Sequence, residues 1–599
     1  MANNRPTSNS DGIDIEFTDV SYSVNVWTPG KIFRPEKKKI LQNVSGKFLK
    51  NQSYAIIGCS GSGKSSLLNF VSGYKTTGYK GSININGKPR RREVFLKRSS
   101  YIMQDDHLQP YLTILESMEI ASKLRYCVMK LDVYQQVIIK RILENFKLTE
   151  KQNTLARNLS GGECRRLSIA MELIRNPKVM FFDEPTTGLD MASANKVVSV
   201  LRDLAKSGRT IICTIHQMTA SHLNLFDVLY ILSPTGQCIY RGQSSQLLNY
   251  LSSIGLHCPL HHNPADYVIE VSCGEYGDYI DSLVECADNG KSNSWCEEKQ
   301  DQSVSEEAVL NENFTVETYR QKRSSRFFHE LRVLIRRTML ISSRDSELIN
   351  IRLFAPVIVA CLFGLVYYDI GNNGLYTRDN VTLLYFCVTY IVFLSAYSMS
   401  IKFPLDFLLM RLEHFNQWYS IKSYYACLTI MDLPIQITST GLFCLVLYVM
   451  SGQPFELFRF VLFSLMFILT GLLSQATGML IAILFKSFLM NAIVISLILL
   501  PTTMFAGIML RISDTPKMYT WIYDISMLKH SVQGILHSVY GFKRADMECP
   551  EIYCPNRSPS SVLQNFSMSE NIFWISAIYI TGIFVCLKIC TYMVLKKKL

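Results

Sequence analysis

Residues 54–65 read Tyr54-Ala-Ile-Ile-Gly58-Cys59-Ser60-Gly61-Ser62-Gly63-Lys64-Ser65, a short apolar strand, a glycine-rich turn and the beginning of a helix. The last eight residues match GxxxxGK(S/T), and the strand before and helix after them are the setting of a phosphate-binding loop. Backbone N–H groups of such a loop surround phosphate oxygens, and the helix N-terminus adds partial positive charge. We therefore expect residues 58–65 to bind ATP, with Lys64 neutralising phosphate charge and the Ser65 hydroxyl ligating Mg²⁺.

A second apolar strand, Val179 to Phe182, ends in the carboxylates Asp183 and Glu184. A buried strand that ends in acids can deliver them to a phosphate site. We expect Asp183 to hold Mg²⁺, directly or through water, and Glu184 to polarise the attacking water.

Buried-type strands alternate with helical stretches between residues 13 and 273. This alternation predicts an α/β domain with a largely parallel sheet. Residues 1–12 are predicted to be a disordered tail, and the polar, acidic segment 274–318 a linker.

The most discriminating motif is Leu159-Ser160-Gly161-Gly162-Glu163, which precedes a predicted helix. It predicts a second anion-binding helix N-terminus. A second such site has no obvious use within one nucleotide domain, but it makes sense if it closes over ATP held by another copy.

Together these motifs resemble the nucleotide-binding domain of ATP-binding cassette transporters, in which LSGGE is the signature sequence. The resemblance implies roles for three more residues. Gln104 is similar to the glutamine that contacts Mg²⁺ and faces the membrane part, Asp190 closes the Gly188-Leu189-Asp190 loop, and His216 is similar to the switch histidine that contacts the γ-phosphate. Val24 departs from the family, because an adenine-stacking aromatic residue usually stands near this position.

The composition divides the chain into two unlike parts. The 599 residues carry a net charge of +12, and their mean hydropathy is +0.14. Residues 1–320 contain 71 charged side chains, whereas residues 321–599 contain 39, with a net charge of +9. The front is therefore predicted to be soluble and the back membrane-bound. The basic excess lies beside apolar spans, so nucleic acid is not a predicted partner.

Six apolar stretches are each near the length that crosses a bilayer, and they follow a basic, amphipathic segment at 319–351. They lie near 352–370, 381–402, 425–450, 457–483, 487–509 and 572–594. An even number puts both termini on one side, predicted to be cytosolic because nine Lys and Arg residues precede the first span between residues 319 and 352. No apolar signal-peptide segment precedes the spans.

The segment 511–571 is then predicted to be an external loop. It contains Cys549 and Cys554, which could pair within or between subunits in an oxidising compartment or remain free thiols. It also contains glycosylation sequons at Asn556 and Asn565. The 17 cysteines form no CxxC pair and no grid with zinc spacing.

The order of one nucleotide domain followed by six spans resembles the half-transporters of the G subfamily. Residues Arg411 to Ser420 (RLEHFNQWYS) resemble its REHxNxWYS connection between the second and third spans. The stretch is most similar to the sterol- and lipid-exporting branch. In that branch Ile508 and Met509 match an apolar plug.

Polar and aromatic residues inside the spans have two interpretations each. Asp432 could be a proton or substrate site, or it could pair with a cation. Tyr390, Phe393 and Tyr397 could line a path for a flat, apolar substrate, or they could pack against neighbouring helices.

The sequence thus predicts an α/β P-loop ATPase followed by an all-α six-helix transmembrane domain. It is expected to bind ATP and Mg²⁺ and to work as a homodimer, or as a heterodimer with a related half-transporter, in the plasma membrane or an endomembrane. Lipid or sterol export is favoured over transport of pigment precursors or xenobiotics. A non-transporting ATPase is disfavoured because no motif is broken.

Overall fold

The computed structural model describes residues 12–26, 36–125, 132–216, 218–292, 294–296, 323–485, 487–509, 515–549, 557–566, 568 and 572–599. It divides into two compact units. The first contains residues 1–329 together with the short segment 412–419, and the second contains residues 330–411 and 420–599. Each unit is described by itself below.

Among the described residues, ten strands, all in the first unit, form two sheets. They are β1 (Ile15–Val26), β2 (Glu36–Phe48), β3 (Ser53–Gly58), β4 (Tyr79–Ile85), β5 (Lys88–Pro89), β6 (Ser99–Ile102), β7 (Val179–Phe182), β8 (Thr210–Thr214), β9 (Val228–Leu232) and β10 (Cys238–Gln243). The larger sheet has the order β10-β9-β3-β8-β7-β6, and all its pairs except β10–β9 are parallel. Because the carboxyl ends of parallel strands share one edge, the residues after β3, β7 and β8 are brought together.

The smaller sheet is antiparallel, with the order β2-β1-β4-β5. Tyr22 of β1 packs edge-on against Phe70, with ring centroids 4.9 Å apart. The ammonium group of Lys75 lies 4.2 Å from the centre of the Tyr22 ring. The Tyr22 ring therefore contacts Phe70 and Lys75, two residues of the same unit.

Helices cover both faces of the larger sheet in the first unit. They are α1 (Lys64–Ser72), α2 (Arg92–Leu96), α3 (Ile114–Arg125), α4 (Asp132–Asn145), α5 (Gly161–Leu173), α6 (Met191–Lys206), α7 (Ala220–Leu223), α8 (Leu247–Ser253), α9 (Pro264–Ser272) and α10 (Ile280–Cys286). The strands β7 and β8 are buried along their whole length, which is why they read as continuous apolar runs. The predicted α/β fold is confirmed.

The predicted linker 274–318 contains a short helix in its first part. Residues 280–286 form α10, and Leu283 of this helix is fully buried. The Tyr250 hydroxyl donates to the Leu283 carbonyl at 2.9 Å. The segment is polar overall, but one buried leucine and a carbonyl bonded from α8 are enough to fix a short helix. Residues 297–318 lie outside the described part of the chain.

The second unit is helical. Its helices are α11 (Arg323–Arg344), α12 (Glu347–Val366), α13 (Thr377–Phe415), α14 (Ile421–Met450), α15 (Leu457–Leu484), α16 (Phe488–Met504), α17 (Thr520–Ile525), α18 (Met527–Tyr540), α19 (Pro559–Asn565) and α20 (Ile572–Lys598). The first residues of α11 and the last of α13 are grouped with the first unit. Within the described residues, α12, α13, α14, α15 and α20 are long and apolar enough to cross a membrane, while α16 is a shorter apolar helix of 17 residues.

The described part of the predicted external loop 511–571 contains three α-helices. It contains α18, whose residues from Ser531 to Tyr540 are all buried. Arg459 of α15 caps this helix by donating to the carbonyls of Gly541 at 2.7 Å and Phe542 at 3.2 Å. A helix of only 14 residues with several polar side chains lacks the hydropathy of a span, so sequence patterning did not reveal it.

Asp432 forms a buried ion pair in the second unit. The Arg352 guanidinium of α12 donates to Oδ1 of Asp432 in α14 at 2.6 Å. Gln475 of α15 also donates to the Asp432 carboxylate. The ion-pair interpretation of Asp432 is therefore the one that the structure supports.

Candidate ATP site

The phosphate loop lies between β3 and α1, as the motif predicts. Gly63 is the residue before α1, and its φ of +94° is in the left-handed region. A Cβ atom there would lie 2.8 Å from a methyl group of Leu41 and 3.0 Å from the Ile40 carbonyl oxygen. Both the conformation and the space therefore require glycine at the point where the loop turns into the helix.

Lys64 and Ser62 point their polar groups into the loop. The Lys64 ammonium donates to the carbonyls of Gly58 at 2.8 Å and Cys59 at 3.0 Å. Burial lowers the pKa of this ammonium, and the nearby carboxylate of Glu184 opposes the shift. The Ser62 hydroxyl is buried without a hydrogen-bond partner among the described residues.

Three hydroxyl groups converge on Asp183, which follows β7. Ser65 donates to Oδ1 at 2.8 Å and Thr214, the last residue of β8, donates to the same oxygen at 2.7 Å. The Tyr101 hydroxyl of β6 lies 3.2 Å from Oδ2. The predicted metal-ligand pair Ser65 and Asp183 is thus assembled, while Thr214 and Tyr101 are contributions that the motifs did not reveal.

Glu184 is held by side chains on both sides. The Gln104 amide donates to Oε2 at 2.9 Å, and the Thr187 hydroxyl donates to the same oxygen at 3.0 Å. The Glu184 backbone has a φ of +47°, an uncommon conformation for a residue with a side chain. Its N–H donates to the Thr214 hydroxyl at 2.9 Å, which fixes this conformation. Gln104 and Glu184, which have separate predicted roles at the ATP site, are in direct contact.

The signature sequence forms the N-terminus of α5. Ser160 is the N-cap, and Glu163 completes a capping box by accepting from the Ser160 N–H at 3.0 Å. Glu163 also pairs with Lys151 at 2.7 Å. Although desolvation opposes it, hydrogen bonds from Lys151 and Ser160 lower the pKa of the Glu163 carboxyl. Ser160 and Gly161 are exposed, so the end of the helix is open to a ligand.

The loop that ends in Asp190 packs against the signature sequence. Asp190 is the N-cap of α6 and accepts from the Ser193 N–H at 3.0 Å. A Cβ atom on Gly162 would lie 2.8 Å from the Ser193 side chain, so only glycine allows this approach without a shift. The two loops are therefore in direct contact within the unit.

Arg165 is a structural member of the site that sequence reasoning missed. It is 2% exposed, it donates to the carbonyl of Met103 at 2.6 Å and also to that of Gln104, and it pairs with Asp106 at 3.1 Å. The signature helix α5 is thereby joined to the backbone that carries Gln104. An arginine two residues after a capping box gives no such signal in the sequence. His216, which follows β8, has an exposed side chain.

The residues of the predicted substrate path lie in the second unit. The Tyr390 ring stacks on Phe443, with centroids 5.8 Å apart. Phe393 and Ile508 are partly buried, while Met509 is 55% exposed. Packing against a neighbouring helix therefore accounts for Tyr390, and Phe393 and Met509 retain accessible surface.

The predicted external features are only partly within the described residues. Cys549 is disulfide-bonded, and Asn565 is exposed at the end of α19. Cys554 and Asn556 lie outside the described residues. The pairing of Cys549 with Cys554 and glycosylation of the two asparagines stay predictions.

The residues of the first unit fit ATP with Mg²⁺. The orphaned Ser62 hydroxyl and the Lys64 ammonium lie in a glycine-rich turn, which suits phosphate oxygens. A hydroxyl beside a carboxylate, here Ser65 and Asp183, is the all-oxygen donor set that Mg²⁺ prefers.

Two family models match the chain. One, described as ABC transporter, matches residues 41–187, which include the phosphate loop, Gln104, the signature sequence and the two carboxylates after β7. The other, described as ABC-2 type transporter, matches residues 329–540.

Relatives align with most of this chain. ABC transporter G family member 1 of Dictyostelium discoideum is 25% identical, with 98% of this chain and 85% of the relative covered. Broad substrate specificity ATP-binding cassette transporter ABCG2 of Bos taurus is 26% identical, with 89% and 85% covered. ABC transporter G family member 22 of Arabidopsis thaliana is 28% identical, with 88% and 74% covered. Among solved structures, an ATP-binding cassette in its ADP conformation aligns at 22% identity and a TM-score of 0.32, covering 41% of this chain and 97% of its own.

The chain thus carries an ABC transporter ATPase domain in its α/β unit and an ABC-2 type transporter domain in the helices that follow, a combination that couples ATP hydrolysis to transport. The cassette comes first along the chain and the membrane helices second. Relatives that align with most of the chain include members of the ABC transporter G family, at 25% and 28% identity.

Proposed function

We propose that the protein is a half-transporter that dimerises, binds two ATP molecules at the interface between two cassettes, and exports lipid or sterol. The exposed N-terminus of α5 supports the dimer. Ser160 and Gly161 present backbone N–H groups and a helix dipole to solvent, which suits a phosphate group supplied by a second chain. Every motif needed for two competent sites stands in this one chain, so a homodimer suffices.

Each residue of the site receives a role in this proposal. Bound Mg²⁺ supplies charge neutralisation at the β- and γ-phosphates, and Ser65, Asp183 and Gln104 hold it. Lys64 neutralises phosphate charge, and Glu184 accepts a proton from the attacking water. Gln104 orients the Glu184 carboxylate through their hydrogen bond.

His216 and the partner's signature sequence complete the proposed site. The exposed His216 imidazole contacts the γ-phosphate, and the loop that ends in Asp190 positions the signature loop of its own chain toward the partner's ATP. Closure of the two cassettes drives residues 412–419 and switches the membrane cavity outward, and hydrolysis resets it. Both termini are cytosolic in this arrangement.

Mixing two defective chains tests the proposed dimer. Lys64→Ala disables the phosphate loop, while Ser160→Asp keeps an N-cap residue but places negative charge at the signature. A dimer of one variant with the other has one intact composite site, so co-expression should restore part of the ATPase activity that each variant lacks alone. Asn158→Asp, on an exposed neighbour, is the matched control and should remain active. No restored activity in verified mixed dimers would contradict the shared site.

The accessible apolar surface of Phe393 and Met509 supports lipid or sterol as the substrate. The second candidate is transport of other small apolar molecules, because the printed name of the Bos taurus relative carries broad substrate specificity. The direct test is ATPase activity of the purified chain in nanodiscs, titrated with sterols, phospholipids and pigment precursors. Stimulation by sterol or phospholipid supports the first candidate, and stimulation by pigment precursors alone contradicts it.

A further inference from the structure

The hydroxyl of Tyr101, in β6, lies within hydrogen-bond distance of both Asp183 and Asn69. This hydroxyl lies 3.2 Å from Oδ2 of Asp183 and 2.9 Å from Oδ1 of Asn69. The Tyr101 side chain is 2% exposed, and its ring stacks on Tyr74 with centroids 5.1 Å apart and planes 10° apart. One O–H proton is therefore shared between two fixed acceptors.

The backbone of the same residue is bonded to Asn416. The Tyr101 N–H donates to Oδ1 of Asn416 at 3.0 Å, and the Asn416 side-chain amide donates to the Tyr101 carbonyl at 2.9 Å. Because β6 is the edge strand of the larger sheet, the Asn416 amide occupies the place where a further strand would pair. Asn416 is 1% exposed, so no water competes for these bonds.

The segment 412–419, which carries Asn416, is fixed to the first unit at further points. The Phe415 ring meets the Tyr101 ring edge-on, with centroids 6.1 Å apart. The Trp418 indole N–H donates to Glu172 at 3.0 Å. Phe415 is also the last residue of α13, whose earlier residues form a candidate membrane span. Because Phe415 and Asn416 contact Tyr101, a displacement of the end of α13 moves residues that touch Tyr101 directly.

We propose that Tyr101 is a positioning residue that transmits the position of residues 412–419 to Asp183 and so sets the Mg²⁺ affinity of the ATP site. This inference rests on the proposed role of Asp183 as a holder of Mg²⁺. Ser65 and Thr214 both donate to Oδ1, whereas the Tyr101 hydroxyl is directed at Oδ2. A small shift of β6 determines whether the Tyr101 hydroxyl donates to Asp183 or to Asn69. The orientation of the Asp183 carboxylate depends on whether it receives this hydrogen bond.

The Tyr101 hydroxyl keeps its proton under working conditions. Burial raises the pKa of this phenol well above its usual range, and the neighbouring Asp183 carboxylate adds to the shift. The group therefore acts only as a donor toward Asp183, and its effect on the site depends on geometry rather than on pH.

The first experiment removes the hydroxyl and leaves the ring. In the full chain in nanodiscs, Tyr101→Phe should raise the Mg²⁺ concentration for half-maximal ATPase activity about tenfold, as expected for loss of a hydrogen bond to a charged group. The maximal rate at saturating Mg²⁺ should change far less. Tyr79→Phe is the matched control, since the Tyr79 hydroxyl contacts Arg90 at 3.5 Å and should leave the Mg²⁺ dependence as it is.

The second experiment tests transmission through a double-mutant cycle. Asn416→Ala removes both bonds to the Tyr101 backbone, and Asn416→Asp keeps an acceptor for its N–H if the alanine variant does not fold. Either variant should raise the Mg²⁺ requirement in the parent protein but hardly change it in the Tyr101→Phe background. Mg²⁺-dependent trapping of labelled ATP in a Glu184→Gln background repeats the measurement without turnover.

Two results would overturn the inference: an unchanged Mg²⁺ requirement in Tyr101→Phe, or fully additive effects of the two substitutions. Failure of the proposed function looks different. It would appear as sustained turnover in Glu184→Gln itself, whatever the Mg²⁺ requirement of the Tyr101 variant.

Discussion

The side-chain amide of Gln104 donates a hydrogen bond to Oε2 of Glu184 over 2.9 Å. The two residues lie 80 positions apart in sequence and meet because β6 and β7 are parallel neighbours. Through this contact, the loop that begins with Gln104 is bonded directly to Glu184, the residue that we assign to water activation.

Gln104→Glu should abolish most ATPase activity. The change places a second carboxylate within hydrogen-bond distance of Glu184, and two like charges so close raise the pKa of one of them and retain a proton. We expect at least a hundredfold loss at neutral pH, against about tenfold for Gln104→Ala, which only removes the donor. Gln136→Glu, on the exposed face of α4, is the control. Equal activity in the glutamate and parent proteins would disprove this role for the contact.

Arg165→Met should destabilise the first unit. The substitution leaves the partly buried Asp106 without its cation and removes donors to two backbone carbonyls. Breaking a buried ion pair from one side costs about 3–5 kcal/mol. Thermal unfolding of the detergent-solubilised chain should show the loss, and Arg165→Met with Asp106→Asn should recover part of it. Arg202→Met, at an exposed site on α6, should leave the transition unchanged.

Glu163 predicts a pH dependence of stability. Its pKa is lowered in the folded state, so its carboxylate stabilises the fold above the unfolded pKa, and this contribution is lost as pH falls through the folded value. Glu163→Gln should lower stability by about 0.5 kcal/mol at pH 7, because Lys151 is half exposed and its pairing is screened. The difference from the parent should shrink between pH 5 and about 3. The exposed Glu150→Gln serves as the control, and a difference that persists at the acid end would refute the assignment.

The Arg352–Asp432 ion pair predicts rescue by double substitution in the membrane helices. Arg352→Gln or Asp432→Asn alone leaves one buried charge unpaired, at a cost of about 3–5 kcal/mol. Each single variant should therefore give less folded protein by fluorescence-detected gel filtration, and the double variant should regain most of the yield. Arg378→Gln, at an exposed position, is the control. If Asp432→Asn instead folds normally and loses only transport, the pair is not structural.

The motifs predict which residues belong to the ATP site, but they do not predict all the side chains that contact those residues. Lys64, Ser65, Asp183 and Glu184 come from contiguous patterns, and a strand that ends in a loop of known function places them reliably. No motif predicts the roles of Thr214 and Tyr101, because their hydroxyls reach Asp183 from other strands of the sheet. Convergence of this kind depends on strand order, which no local pattern reports.

In the membrane half, the sequence predicts the long apolar helices but misses a short buried helix. Hydropathy locates long apolar helices, because twenty apolar residues in a row have few alternatives. It does not locate α18, whose His537 and Gln533 are buried by packing against α15 and α20 rather than by an apolar sequence. Tertiary packing, and not periodicity, determines that residues 527–540 form a buried helix.

Glu184→Gln gives the most direct test of the central claim, that this site hydrolyses ATP with Glu184 as the base. The purified variant in nanodiscs should bind labelled ATP with Mg²⁺ as tightly as the parent and retain it, while steady-state phosphate release falls at least a hundredfold. Thr187→Val, which removes only a hydrogen bond to the same carboxylate, should lower the activity by no more than about tenfold. Phosphate release from Glu184→Gln at the rate of the parent protein would contradict the account.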